Sequence, residues 1–225
     1  MALSFNYGSK HNRREIQSAY NSCLKLGILH YIIDIDFLQN YLRSDLLKTG
    51  GDIPEGHYQE KIMKKTVVPF RNGIMLSIAC GIAESNNLSS VMIGNHLGDH
   101  AIYPDCRKSF IIPMANAMMN GTYSNIKLES PFLYLSKEDI VRLGEKENVP
   151  FEDSYSCYRG EAIHCGRCST CFERREAFYL TGIPDRTIYL DETPVGELIN
   201  EYKSLLYENG GIDGAVKEDS GGDIG

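Results

Sequence analysis

Four of the seven cysteines in this 225-residue sequence, Cys157, Cys165, Cys168 and Cys171, crowd into the segment CYRGEAIHCGRCSTC. Zinc takes four thiolates in a tetrahedron, and CxxC steps let consecutive cysteines wrap one ion while backbone N–H groups reach the sulfurs. Two overlapping CxxC steps with a fourth cysteine nearby therefore point to one bound Zn2+. Four thiolates also suit an iron–sulfur cluster, but nothing around the segment reads as a redox partner site. A closed shell of four protein ligands leaves no position for water or substrate, so the zinc is expected to be structural. His164 then stays outside the shell as a solvated histidine. Arg159, Arg167, Arg174 and Arg175 are expected to offset the cluster's charge from solvent.

Elements that must position such a cluster are legible upstream. Ala2 to Tyr7 alternates and ends at Gly8, the mark of a strand and turn. From His11 to Leu26 the apolar residues Ile16, Ala19, Tyr20, Cys23 and Leu24 share one helical face, and Gly27 closes the helix. Leu29 to Ile35 reads as a second buried strand, and strand–helix–strand order implies a parallel sheet. Gly50 to Tyr58, rich in glycine and proline, predicts a mobile surface loop. Further helices are expected over Asn72–Ser85, Ser109–Met119, Phe172–Leu180 and Leu198–Tyr207. Another, Ser136–Lys146, opens with Ser136 and Asp139 as a capping box. Val91 to Gly94 reads as a short buried strand whose end faces a ligand crevice. After Gly210 the Gly- and Asp-rich sequence has little to bury.

Composition narrows the function. A net charge of −7 argues against a broad polyanion-binding surface, so direct nucleic-acid binding is not expected and a small-molecule substrate fits better. The longest apolar stretches, such as Gly73 to Ala83, are interrupted and too short to span a bilayer. The N-terminus carries no signal-peptide pattern, so a cytoplasmic protein with reduced thiols is expected.

Four stretches resemble the 7-cyano-7-deazaguanine synthase (QueC) family: ALSFNYG, VVPFRNGIMLSIACGIAE from Val67, YPDCRKSFI from Tyr103, and SCYRGEAIHCGRCSTCFERREAF from Ser156. They run in family order from residue 2 to about 190. The resemblance implies an α/β fold, a parallel-sheet PP-loop (N-type ATP pyrophosphatase) domain, with a C-terminal zinc-binding module. The expected plan is a PP-loop-type domain over 1–150, a helical zinc-binding part over 151–207 and a disordered tail over 208–225. The implied reaction activates 7-carboxy-7-deazaguanine with ATP, expected as its Mg2+ complex, adds ammonia to give an amide, and dehydrates that amide with a second ATP.

On that resemblance Arg71 and Asn72, at the mouth of an apolar helix, are candidates to meet ATP phosphates or to hold the site loop. Tyr103, Asp105 and Arg107 match the family's substrate-side motif; the arginine suits the substrate carboxylate and the aspartate suits an amino-pyrimidine edge. A plain surface turn is the alternative for that motif. Asn95, His96 and Asp99 follow a strand end, where site residues belong. Cys106 is read as a packed thiol, and no residue is assigned to catalysis.

The family opens with a strand, an SGGxDS phosphate loop and a helix, whereas Met1 stands where the family's second strand begins. A segment of about 30 residues is thus expected to be missing. Ser9 stands where the family usually has glutamine. Ser220 to Asp223 read SGGD but follow no apolar strand, so they do not qualify as that loop. This chain by itself is then expected to bind ATP weakly, and an unpaired sheet edge makes a homodimer the expected assembly. The competing reading is an inactive or partner-dependent zinc-containing protein that binds a deazaguanine or nucleotide.

Overall fold

The alternating residues Ala2–Asn6 form strand β1, and Gly8, at φ +80°, supplies the turn into helix α1 (Asn12–Leu26). Gly27 ends α1 in the left-handed conformation and sends its N–H back to Cys23 and Leu24, as a glycine C-cap does. Strand β2 (His30–Asp34) then lies parallel to β1, in register from Ala2↔His30 to Asn6↔Asp34. This computed structural model describes residues 1–55 and 63–208. The tail expected over 208–225, with Ser220 to Asp223, lies outside them from residue 209 onward.

Helix α2 (Arg71–Ser85) is strongly apolar. Ile74, Met75 and Ile78 pack on the cluster of Tyr7, Ile35, Leu46, Leu47 and Val68. Leu76, Cys80 and Ala83 join Met118 and Ile126 in a second cluster. A helix that packs on two sides has little polar face to keep, which explains its even hydrophobicity. By length and composition alone the helical stretch Lys64–Ser85 is apolar enough to cross a membrane. Phe70 in the left-handed conformation interrupts it, and these core contacts account for its character.

A short turn leads from α2 into strand β3 (Ser90–Met92), which pairs in parallel with β4 (Lys127–Glu129), in register from Ser90↔Lys127 to Met92↔Glu129. Helix α3 (Lys108–Asn120) lies between them in sequence. β4 carries the residues KLE and has no apolar alternation to announce it. Among the described residues the strands form two separate parallel pairs. β2 is correspondingly less buried than expected: Tyr31 and Ile32 are exposed, because the described strands give β2 no neighbour beyond β1.

Helix α4 (Lys137–Lys146) has the expected capping box, with Ser136 Oγ accepting from the Asp139 amide at 3.2 Å and the Asp139 carboxylate accepting from the Ser136 amide at 3.1 Å. Helix α5 (Ser169–Thr181) begins inside the cysteine segment and ends at Gly182. Residues Met1–Glu192 make one compact unit, which includes all four clustered cysteines; Thr193 onward is a second, containing helix α6 (Val195–Glu208). The part of the expected loop that is described is pinned: Gly51 N–H donates to Asp45 Oδ1 at 3.0 Å, and Lys10 Nζ reaches the carbonyls of Asp45 and Gly51. Residues 56–58 of that loop lie outside the described ones.

Candidate functional site: a four-cysteine centre and the strand-end cluster

The four thiols converge. Their sulfurs all lie within 4.8 Å of one another and all four residues are buried. A tetrahedron with Zn–S bonds near 2.3 Å has edges of about 3.8 Å, and Cys165 Sγ to Cys171 Sγ is 3.9 Å. Backbone N–H groups point at the sulfurs as the spacing requires: Cys165 N–H to Cys157 Sγ at 3.4 Å, and Arg167 and Cys168 N–H to Cys165 Sγ at 3.4 and 3.2 Å. Cys168 is also the N-cap of α5, whose dipole favours thiolate there. Without a cation the set cannot ionise together. Thiol hydrogen bonds from its neighbours drive Cys157 down, while the same contacts drive Cys168 and Cys171 up. A divalent ion removes that conflict, so the donor set fits a resident metal.

Two expectations about the surroundings need correction. His164 is buried rather than solvated: its Nε2 accepts the Ser156 N–H at 3.0 Å and its ring lies between Tyr155 and Tyr189. A histidine next to one of the clustered cysteines can thus brace the loop instead of touching solvent. The arginines also do more than offset charge from solvent. Arg174 is buried and donates to Ser154 Oγ and the Phe151 carbonyl, each at 2.7 Å. Arg175 is buried, donates to the Gly166 carbonyl at 3.2 Å and lies over the Tyr189 ring. Arg167 pairs with Asp191 and Arg159 with Glu55.

The second gathering of candidates lies at the strand ends. Arg71, opening α2, donates from Nη1 to Tyr7 Oη at 3.1 Å, so α2 begins where β1 ends. Asn95, just beyond β3, donates to the Cys106 carbonyl at 2.8 Å, and Asn72 donates to the same carbonyl's neighbour, Asp105 O, at 3.3 Å. The carboxyl ends of β1 and β3 therefore meet at the start of α2, the crevice position in open parallel sheets.

The fold brings the two sequence-predicted sets, Arg71 with Asn72 and Tyr103 with Asp105 and Arg107, together. Asp105 Oδ2 accepts the Asn72 backbone N–H at 2.8 Å and so caps α2, while the Asn72 carboxamide donates into the 104–106 turn. Tyr103 is buried, with its hydroxyl 3.2 Å from Thr66 Oγ1 and 3.1 Å from Tyr158 Oη. Arg107 is exposed and donates to the carbonyls of His100 and Ala101, at 2.6 and 3.2 Å, so it stands at the rim of this group. His96 accepts the Gly98 N–H at 3.1 Å and lies 3.4 Å from Asp99. Cys106 is a packed thiol: burial pushes it up to about 12, with Asp99 and Asp105 adding to that, so it is neutral at physiological pH.

Three members of the cluster carried no assignment from sequence. Tyr7 Oη lies 3.2 Å from His11 Nε2, and the His11 ring faces Tyr158 at 5.1 Å between centroids. Burial lowers the His11 pKa against the opposing pull of Glu15. Tyr7 precedes the glycine at a strand end, a signal that was available. Tyr158 follows Cys157, and only the folded chain places it against His11 and Tyr103. A small apolar cavity touches Tyr7 and Arg71, and a larger one is lined by Phe70 and Asp105 among others.

Residues 1–182 match the model of the family described as queuosine biosynthesis protein QueC. The chain is 54% identical over 189 residues to a protein of Porphyromonas gingivalis named 7-cyano-7-deazaguanine synthase, covering 84% of this chain and 86% of that one. It is 44% identical over 205 residues to the protein of that name from Rhizobium leguminosarum, covering 90% and 86%. Against the protein of the same name from Brucella anthropi, identity is 47% over 192 residues. Among solved structures, the U34-tRNA thiolase NcsA from Methanococcus maripaludis with its [4Fe-4S] cluster aligns at TM-score 0.40 and 13% identity, over 97% of this chain and 65% of that one.

Proposed function

The chain belongs to the QueC family of queuosine biosynthesis proteins, and on that premise we propose that it makes 7-cyano-7-deazaguanine from 7-carboxy-7-deazaguanine, ammonia and ATP. It is a carbon–nitrogen ligase. The observation that carries the reading is the identity with named synthases across most of both chains. The meeting of the VVPFRNG and YPDCR segments at one strand-end site agrees with it.

A carboxylate is a poor electrophile. Adenylation converts its oxygen into a leaving group, ammonia displaces it to give the amide, and a second ATP activates the amide oxygen so that it departs and the nitrile remains. Positioning and charge stabilisation supply most of the rate in such a sequence. We assign Arg71 to an ATP phosphate, because a neutral phenol holds its guanidinium and leaves its charge available. Asn72 and Asp105 hold the site turn together, and Asp105 Oδ1 is the acceptor for the amino-pyrimidine edge. Tyr103 packs behind it, and Arg107 at the rim meets the substrate carboxylate. Mg2+ accompanies the ATP.

We assign zinc to the four cysteines. The donor set and the N–H···S contacts suit a closed tetrahedral shell, whose part in the reaction is to fold the segment that carries Tyr158. A homodimer in the cytoplasm completes the proposal.

The test is to incubate the protein with 7-carboxy-7-deazaguanine, ammonium, Mg2+ and ATP and to follow AMP and the nitrile by mass spectrometry. Formation of both identifies the synthase. Tight binding of the acid with neither amide nor nitrile would instead identify a binding homologue.

A further inference from the structure

We propose that the Phe70 ring is a stacking platform for the planar heterocycle of the substrate; this rests on the synthase reading above. The observation is a conflict between backbone and side chain that the chain goes out of its way to keep. Phe70 sits at φ 54°, ψ 27° as the N-cap of α2. A bulky residue in the left-handed region is an outlier, and such outliers persist where the surroundings impose them, commonly at ligand sites. Here the first helical bond, Ile74 N–H to the Phe70 carbonyl at 3.1 Å, fixes the position.

The strained backbone lays the ring across the first turn of α2. A Cβ on Gly73 would come within 2.3 Å of Phe70 Cε1, so glycine at 73 is what lets the ring lie there. Glycine inside a helix weakens it, and the arrangement hides little apolar surface in return: Phe70 remains 59% exposed. Folding by itself gives no reason for this. A ligand does.

The exposed ring borders a cavity of about 480 Å3 lined by Val67, Pro69, Phe70, Pro104, Asp105 and Phe110, among others. That size suits a two-ring heterocycle. Phe110 stands at right angles to Phe70, 5.6 Å away between centroids, and Pro69 and Pro104 complete an apolar wall. One carboxylate, Asp105, meets this wall. Its Oδ2 is held by the Asn72 N–H, so its orientation is fixed and Oδ1 remains to accept. An aromatic face beside a fixed carboxylate matches a 2-amino-4-oxo-pyrimidine, whose edge presents adjacent N–H donors. Adenine presents a donor beside an acceptor at that edge and fits the carboxylate less well.

The sequence contains no tryptophan, so Phe70→Trp creates a single emission reporter at the platform. Titration of this variant with 7-carboxy-7-deazaguanine is expected to quench it saturably, whereas a non-hydrolysable ATP analogue leaves it unchanged. Phe70→Leu keeps an apolar side chain but loses the π face. By calorimetry it is expected to bind the acid about tenfold more weakly or worse, with kcat less affected than KM. Gly73→Ala, which alters no lining side chain, is expected to weaken binding by displacing the ring. Thermal melts of each variant confirm folding. Wild-type binding together with an unaffected Phe70→Leu variant overturns the platform alone. Quenching by the ATP analogue and not by the acid overturns it in favour of adenine. No binding of the acid by the wild-type protein removes the synthase reading and the platform with it.

Discussion

The Asp105 carboxylate accepts the backbone N–H of Asn72 at 2.8 Å, so the YPDCR segment caps the helix that the VVPFRNG segment opens. A link across 33 positions of sequence thereby fixes both halves of the strand-end site. Replacing Asp105 by alanine leaves a buried N–H without an acceptor and is expected to cost about 1–3 kcal/mol. Asp105→Asn, which keeps an oxygen acceptor, is expected to lose less. Urea unfolding midpoints decide it; an alanine variant as stable as the parent would show that the cap carries no weight.

The metal prediction follows from the four converging sulfurs. One zinc per chain is expected in the purified protein by emission spectrometry, and Cys168→Ser is expected to lose metal and solubility together, since binding to such a site is folding free energy. Iron with acid-labile sulfide would contradict the assignment. So would a metal-free variant that melts like the parent.

Arg107 stands at the rim, with two of its nitrogens on backbone carbonyls. If it meets the substrate carboxylate, Arg107→Ala weakens binding of 7-carboxy-7-deazaguanine on the order of tenfold, and binding of the corresponding uncharged amide much less. Calorimetry with both ligands gives the comparison, and equal losses would remove Arg107 from this role.

His11 gives a pH prediction. Burial lowers its pKa below the unfolded value of 6.5, with Glu15 opposing. The unfolded chain therefore binds more protons than the folded one below about pH 6.5. Stability from this histidine is present above that pH and is lost as pH falls toward the folded-state value. Between pH 7.5 and 5 the His11→Gln variant is expected to show the smaller decline. Parallel declines in urea midpoint for both proteins would contradict this.

The sequence by itself determined the local chemistry. Thiol spacing set the four-cysteine centre, because ligands three residues apart can wrap one ion wherever they are placed. Glycine and serine set the ends of α1, α4 and α5, because caps act within a few residues, whereas the apolar face read for α1 leaves Tyr20 and Leu24 exposed. Strand–helix–strand order set the parallel pairing. What tertiary structure alone decided involves partners far apart in the chain. Which polar groups are spent on each other, as Asp105 is on Asn72 and Tyr103 on Tyr158, depends on packing that no short window of sequence contains. The burial of His164, Arg174 and Arg175 was likewise invisible, since a charged or polar residue enters a core only where distant acceptors satisfy it. β4 went unread because three residues with two charges carry no periodic signal; it is a strand only because β3 lies beside it.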